Sequence, residues 1–194
     1  TPNPLAIRLA GSWKASGLRP LLNKHATSPT STPEVRQAAL DAIANFRDRQ
    51  TLKALSEVTD PDRPSDVRRM GVVAMTKVEI AAAAEIAAQL LSGAGEKDDF
   101  TSVFQAFLAQ KGGSAALAKA LDGKKLNPDV AKLGLKAVRS SVQDAKPLTD
   151  ALTKAGGLTA AIDRIARTRQ GDLLLEVEVE STEQLREALR PEVD

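Results

Sequence analysis

The chain has 194 residues, of which 42% are hydrophobic and 27% are charged. This length and mixture are typical of a folded globular protein with one large domain or two small ones. Aromatic residues make up only 3%, and there is no cysteine, no tyrosine and a single histidine, His25. Zinc sites built from Cys and His, cysteine nucleophiles and haem attached through cysteines are therefore excluded.

Charge is distributed unevenly along the chain, although the formal net charge is only +2. Residues 1–33 contain four basic residues and no acidic one, whereas residues 170–194 contain two basic and eight acidic residues. Such asymmetry indicates either a segment that meets a neighbour or solvated termini. The most apolar run, residues 78–91, includes two glutamates, so it predicts a buried helix and not a membrane span.

A helical repeat organises most of the chain. Four segments align on an acidic residue followed by an apolar one, and apolar or small residues recur three, four, seven and eight positions later, as on a helix with one buried face. The anchors are spaced 32, 33 and 30 residues apart: Glu34-Val35, Asp66-Val67, Asp99-Phe100 and Asp129-Val130. A weaker copy lies upstream at Ile7, Ala10, Gly11 and Ala15.

A second apolar helix is expected behind each copy. Its inward residues are Leu18, Leu21 and Leu22; Leu52, Leu55 and Val58; Ile86, Leu90 and Leu91; Leu117 and Leu121; and Leu148 and Leu152. Capping residues followed by proline mark two helix starts, Thr32-Pro33 and Asn127-Pro128. Helical pairs at this interval predict an all-α fold, an α/α superhelix or HEAT-like solenoid of about five pairs over residues 1–157.

Small residues recur four positions after the apolar anchor, and this predicts that neighbouring helices approach closely there. They are Gly11, Ala39, Gly71 and Gly134, and Phe104 occupies the same position in the remaining copy. We expect that copy to be spread apart or irregular, with Phe100 and Phe107 also filling the space. Arg8, Arg36 and Arg68 recur at one repeat position and are expected to bridge neighbouring repeats.

Residues 158–194 form a second predicted region, a cap or linker that contains a helix, a strand-like segment and a short last helix. In the strand-like segment four apolar residues alternate with Leu174 and three glutamates. The apolar set is Leu173, Leu175, Val177 and Val179. An exposed strand of this kind is adhesive, so we expect it to dock on the last repeat, on a second copy of the chain or on a neighbouring domain. The alternative is that this segment is helical.

The repeat resembles HEAT-type repeats, with Val-Arg openings at residues 35–36 and 67–68. Residues 107–113 (FLAQKGG), 117–121 (LAKAL) and 128–135 (PDVAKLGL) resemble more specifically a HEAT-like segment of large bacterial membrane-bound dehydrogenases with a c-type haem domain. The resemblance covers about residues 60–160. It implies a spacer or docking segment within a larger exported or periplasmic protein, and it carries over no catalytic residue and no haem site.

A basic set in residues 111–139 offers an alternative function. Its members are Lys111, Lys119, Lys124, Lys125, Lys132, Lys136 and Arg139, against only two acidic residues. These side chains are either a solvated face or a surface for nucleic acid or another polyanion. Nucleic acid is the less favoured partner, because the region has no aromatic residue for base stacking.

The sequence as a whole favours a non-enzymatic protein-interaction or scaffold domain, excised from a larger multidomain protein. No spacing concentrates carboxylates, lysines and the lone histidine into a catalytic or metal site, so we expect no catalytic, cofactor or metal-binding residues. The expected partners are proteins or neighbouring domains of the parent chain, with no membrane span in this segment.

Overall fold

The computed structural model describes residues 2–95, 98–141 and 145–158. Within these ranges the ordered elements are all helical, and the predicted all-α class is confirmed. The ten α-helices are α1 (Pro4–Ser12), α2 (Arg19–Thr27), α3 (Pro33–Phe46), α4 (Arg49–Val58), α5 (Ser65–Met75), α6 (Ile80–Ser92), α7 (Thr101–Leu108), α8 (Gly113–Ala120), α9 (Pro128–Arg139) and α10 (Lys146–Ala155). A single 3-10 turn, Ser16–Leu18, precedes α2.

The chain divides into two units, Thr1–Gly156 and Gly157–Asp194, and all ten helices belong to the first. Residues 159–194 lie outside the described residues. The expected helix, strand-like segment and last helix of residues 158–194 therefore stay predictions, and so does the boundary at residue 157. The same holds for the candidate contact residues Leu173, Leu175, Val177 and Val179.

The two predicted helix starts are present. At each one, the side chain of the capping residue accepts a hydrogen bond from a backbone N–H group that the helix leaves unpaired. The Thr32 hydroxyl accepts a hydrogen bond from the Val35 amide at 3.4 Å, and Pro33 opens α3. The Asn127 side chain accepts a bond from the Asp129 amide at 2.9 Å, and Pro128 opens α9. The acid that follows each proline lies at the positive end of the helix dipole.

The helices contact one another in a regular order. Each odd-numbered helix from α1 to α7 contacts the next odd-numbered helix. In most helical pairs, the odd-numbered helix also contacts the even-numbered helix that follows it. Among the even-numbered helices, α2 contacts α4, α6 contacts α8, and α8 contacts α10. The apolar anchors of the four repeat copies are all buried: Val35, Val67, Phe100 and Val130. These contacts form one continuous hydrophobic core from Ile7 to Ala155.

All three recurring glycines lie where helices meet closely, as their repeat position predicts. A Cβ atom added to Gly71 would lie 2.8 Å from the Thr59 Cγ2 and 2.9 Å from the Val58 Cγ1. A Cβ atom added to Gly11 would overlap the Ala42 Cα and lie 2.6 Å from the Ala42 Cβ, so α1 and α3 touch through backbone. At Gly134 a Cβ would lie 2.8 Å from the Leu152 Cδ1 and 2.9 Å from the Phe104 ring. Glycine at these positions allows contacts that alanine does not.

The phenylalanine cluster of α7 fills the space expected of it, but without separating the helices. Phe100, Phe104 and Phe107 are fully buried, and α7 contacts both α5 and α9. The expected spreading of this copy is not observed, because the Phe104 ring occupies the room that Gly134 leaves on α9. The large Phe104 side chain is thus accommodated because the next copy has a glycine, Gly134, at the same repeat position.

The arginine recurrence is confirmed as a bridge at one copy. Arg36 is buried, and its Nη2 donates a 2.9 Å hydrogen bond to the carbonyl oxygen of Ser28, the residue that ends α2. Arg8, in contrast, is exposed, and the Nε of Arg68 is buried without a hydrogen-bond partner in the described part of the chain. The repeat position therefore does not give these three arginines one common role.

Candidate interaction surface

The N-terminal apolar face consists of five large hydrophobic side chains that remain in contact with solvent. They are Leu5, Leu9, Trp13, Leu18 and Leu21, with exposed fractions of 65%, 50%, 76%, 44% and 50%. No other large hydrophobic side chain in the described ranges is exposed to this degree. Their concentration within 17 residues of sequence, 5 to 21, distinguishes this end of the helix series from the rest.

Helix α1 is apolar on two opposite sides. Its inner side, with Ile7, Ala10 and Gly11, is buried, and Gly11 meets Ala42 of α3. Leu5, Leu9 and Trp13 follow one another at four-residue spacing, which places them along one stripe of the helix. Helices that are apolar on more than one side are usually covered on each of them, so the outer stripe has the composition of a surface that takes a partner.

The turn after α1 positions Trp13 at the end of that stripe. The Ala15 amide donates to the Ala10 carbonyl and the Lys14 amide to the Gly11 carbonyl, at 3.0 and 3.1 Å. This is the hydrogen-bond pattern of a Schellman motif, and Lys14 adopts the left-handed conformation that it requires, with φ of 50°. Helix α1 therefore ends in a defined turn, with Trp13 as its capping residue.

Two leucines of this face, Leu18 in the 3-10 turn and Leu21 in α2, correct an expectation. Leu18, Leu21 and Leu22 were all expected to point inward, but only Leu22 is buried, at 2% exposure. Helix α2 packs through Leu22 and Ala26, which lie four residues apart on one side. Leu18 and Leu21 fall outside that side because α2 contacts α3 and α4 over a narrow strip.

Arg19 anchors this helical pair to the next one. Its guanidinium lies 4.2 Å from the Phe46 ring centroid and forms two hydrogen bonds to the Asp48 carboxylate, at 2.6 and 3.1 Å. Asp48 also caps α4 by accepting from the Thr51 amide at 2.8 Å. That amide, followed by Arg19, lowers the pKa of the Asp48 carboxyl group, so the contact is charged at neutral pH.

The other basic residues of this region are available to a partner. Arg8, Lys14 and Lys24 are exposed, and none of them forms an ion pair with any acidic residue that the structure describes. Residues 1–33 contain no acidic side chain at all. The N-terminal apolar face is thus accompanied by uncompensated positive charge, and this combination favours an acidic, apolar ligand.

The basic set of residues 111–139 is brought together only in part. All seven side chains are exposed, but only Lys119, Lys124 and Lys125 line one groove, of about 610 Å³, between the end of α8 and α10. Lys154 joins them from α10, a residue that sequence analysis did not single out because it lies outside the basic run. The remaining four predicted cations are Lys111, Lys132, Lys136 and Arg139.

Acidic residues in and near that groove offset part of its charge. Asp122 and Asp150 line it, and the Lys154 Nζ lies 3.1 Å from the Asp122 Oδ1. On α9, Lys132 forms an ion pair with Asp129 at 2.8 Å. Exposed pairs of this kind contribute little to stability, but they lower the positive potential that a polyanion would meet.

The titratable groups of the described residues show the chemistry of helix ends. Three carboxyl groups have a lowered pKa, and each lies at the start of a helix. For Glu34 the main cause is its own backbone amide, and for Asp99 it is the Thr101 hydroxyl; Asp48 is the third.

Within the described ranges no three His, Cys, Asp or Glu side chains are grouped as a metal site, and no helix is long and apolar enough to cross a bilayer.

Sequence analysis overlooked Leu5, Leu9 and Trp13, although a signal for them exists. The helical repeat was aligned on its buried positions, and in α1 those positions are Ile7, Ala10 and Gly11. A second apolar stripe on the opposite side of the same nine residues is visible in the spacing of Leu5 and Leu9 once both sides are examined.

Comparisons of the chain with protein-family models, with curated proteins and with solved structures found no match. The resemblance to HEAT-like segments of bacterial dehydrogenases therefore remains a hypothesis. The case for a function rests on the geometry and chemistry of the described residues.

Proposed function

We propose that this chain is a non-enzymatic protein-interaction or scaffold domain of a larger multidomain protein, and that the N-terminal apolar face is its binding surface. The observation that carries the proposal is the exposure of Leu5, Leu9 and Trp13 on the outer side of α1. Monomeric soluble proteins rarely leave large apolar side chains grouped in this way unless the group binds something. Tryptophan and other aromatic anchors are also enriched in binding hot spots.

The order of helix contacts supports a solenoid as the scaffold of this surface. In an α-solenoid each helical pair contacts only its neighbours, and the outer face of a terminal pair is normally polar. The contacts among the odd-numbered helices follow that order. On α9, at the other end of the series, Lys132, Lys136 and Arg139 are exposed. The N-terminal end instead presents leucines and a tryptophan, so we assign the partner to that end.

The non-enzymatic part of the proposal is supported by the role of the shifted carboxyl groups. Catalytic acids and bases are typically gathered in a cavity, with pKa values tuned by burial and by one another. Glu34, Asp48 and Asp99 lie on three different helix starts. The main cause of each lowered pKa is a backbone or hydroxyl donor at that helix start, and Arg19 adds to the effect on the pKa of Asp48. Their chemistry is that of helix capping.

A photo-cross-linking experiment tests this proposal. We expect a photoreactive phenylalanine analogue in place of Trp13 to form protein adducts in cells that produce the parent protein, because this side chain is 76% exposed on the proposed surface. The matched control places the same analogue at Glu85, an exposed position on α6. Adducts are measured by mass spectrometry. Equal cross-linking from both positions, or none from position 13, would contradict the proposal.

Polyanion binding is a second candidate, favoured by the grouping of Lys119, Lys124 and Lys125 with Lys154 around one groove. Since Asp122 and Asp150 line the same groove, we expect only non-specific affinity for a single-stranded oligonucleotide, with a Kd of about 1–100 µM that weakens steeply as salt rises. Fluorescence anisotropy at two salt concentrations measures it.

The double substitution Lys124→Glu and Lys125→Glu separates groove binding from general attraction. The matched control is Lys53→Glu, which removes one exposed cation from α4. Tight binding at physiological salt that the double substitution abolishes and the control leaves intact would make the groove the functional site. Equal weakening by both changes would leave the groove without a special role.

A further inference from the structure

We infer that the N-terminal apolar face binds the acidic C-terminal segment, residues 170–194, of a second copy of the chain. This inference rests on the proposed function and names the partner of the same surface. Two kinds of complementarity point to it: the surface is apolar and basic, and the segment is apolar and acidic. Each copy therefore carries both halves of one contact.

The basic half has the exposed cations Arg8, Lys14 and Lys24 beside the apolar stripe, with no acidic residue among residues 1–33. The acidic half has eight acidic and two basic residues. Opposite net charges at two surfaces speed their encounter and disfavour wrong partners. Apolar contact supplies most of the affinity, because exposed ion pairs by themselves contribute little.

The sequence of the acidic segment fits an apolar stripe with a charged border. Its apolar residues alternate with Leu174 and with glutamates at positions 176, 178 and 180. The apolar members are Leu173, Leu175, Val177 and Val179. Alternation of this kind puts these four side chains on one side of an extended segment, and the carboxylates with Leu174 on the other. The apolar side can then cover Leu5, Leu9 and Trp13 while the carboxylates remain near the cations.

The presence of both halves in every chain favours a second copy as the source of the segment. The basic, apolar face and the acidic, apolar segment occur in the same sequence, so one contact can form between identical copies without any other protein.

A contact between the start of one copy and the end of another is heterologous, so it joins copies head to tail. We expect the full chain to associate as its concentration rises through the micromolar range. Sedimentation velocity measures the association. Trp13 is the only tryptophan and there is no tyrosine, so the fluorescence of the protein reports on this face directly. Its emission should shift to shorter wavelength as copies associate, because the indole becomes buried.

Two single substitutions, one in each half, test the contact. Leu9→Glu places a charge in the face and leaves Trp13 as the reporter, and Leu175→Glu places a charge in the segment. Each should weaken association about 30-fold, the effect of losing one strong hot spot. Ala82→Glu, at an exposed position on α6, is the matched control and should change nothing. Circular dichroism verifies that every variant is folded.

Mixing the two defective variants provides the decisive result. The Leu9→Glu copy keeps an intact segment and the Leu175→Glu copy keeps an intact face, so together they form one productive contact. We expect a complex of one copy of each that does not grow further, with blue-shifted Trp13 emission from the Leu175→Glu copy.

Three results would overturn the inference, and each would point to a different explanation. Association that Leu9→Glu abolishes but Leu175→Glu does not would mean that two N-terminal faces pair with each other. A monomer with blue-shifted emission at every concentration would mean that the face is covered within one chain. A monomer with solvent-exposed emission would remove the second copy as partner, and the proposed function would then depend on the cross-linking from position 13.

Discussion

Phe104→Ala is expected to lower the free energy of unfolding by about 3–5 kcal/mol, the range typical of truncating a fully buried phenylalanine. The ring is fully buried and fills the space beside Gly134, which has no side chain of its own to occupy the cavity. Urea unfolding followed by circular dichroism measures the change. Leu5→Ala is the matched control and should stay within about 0.5 kcal/mol, because Leu5 is 65% exposed.

A double-mutant cycle tests the cause of that effect. Gly134→Ala alone should destabilise the protein, because its Cβ would lie 2.9 Å from the Phe104 ring and 2.8 Å from the Leu152 Cδ1. In the Phe104→Ala background the same change should be less harmful, or favourable, since the ring is gone and Leu152 can rotate. Additive effects would show that the two positions do not share one packing space.

Gly11→Leu is expected to detach α1 from α3, at a cost of about 1–3 kcal/mol or more. The first atom of the new side chain would overlap the Ala42 Cα, and backbone cannot rotate out of the way as a side-chain tip can. Because α1 packs on α3, the loss should be concentrated in the first helix. Hydrogen exchange of residues 4–12 measures it.

Gly17 offers a control of the same residue type. A Cβ at this position would meet no atom within 4 Å, and Gly17 is not among the glycines with a positive φ. Gly17→Ala should therefore be neutral or slightly stabilising, by up to about 1 kcal/mol, through the unfolded state. For the Gly11→Leu protein, in contrast, unchanged hydrogen-exchange protection of the α1 amides would refute the close contact between α1 and α3.

The sequence by itself determined two helix starts and the buried anchors of the four repeat copies. Capping residues before prolines located the starts of α3 and α9, and the apolar period identified Val35, Val67, Phe100 and Val130 as buried anchors, all of which the structure places in the core. These features were predictable because a cap and an apolar stripe are properties of one local segment. Each is encoded within a few residues and needs no knowledge of the neighbours.

The tertiary structure alone decided which apolar side chains remain uncovered and which cations lie together. Leu21 and Leu22 are adjacent in sequence, yet one is half exposed and the other buried, because α2 is covered along one strip only. Lys154 joins Lys124 at one groove across 30 residues of sequence. Periodicity describes the sides of a single helix, whereas burial and charge grouping depend on which of those sides meets another helix.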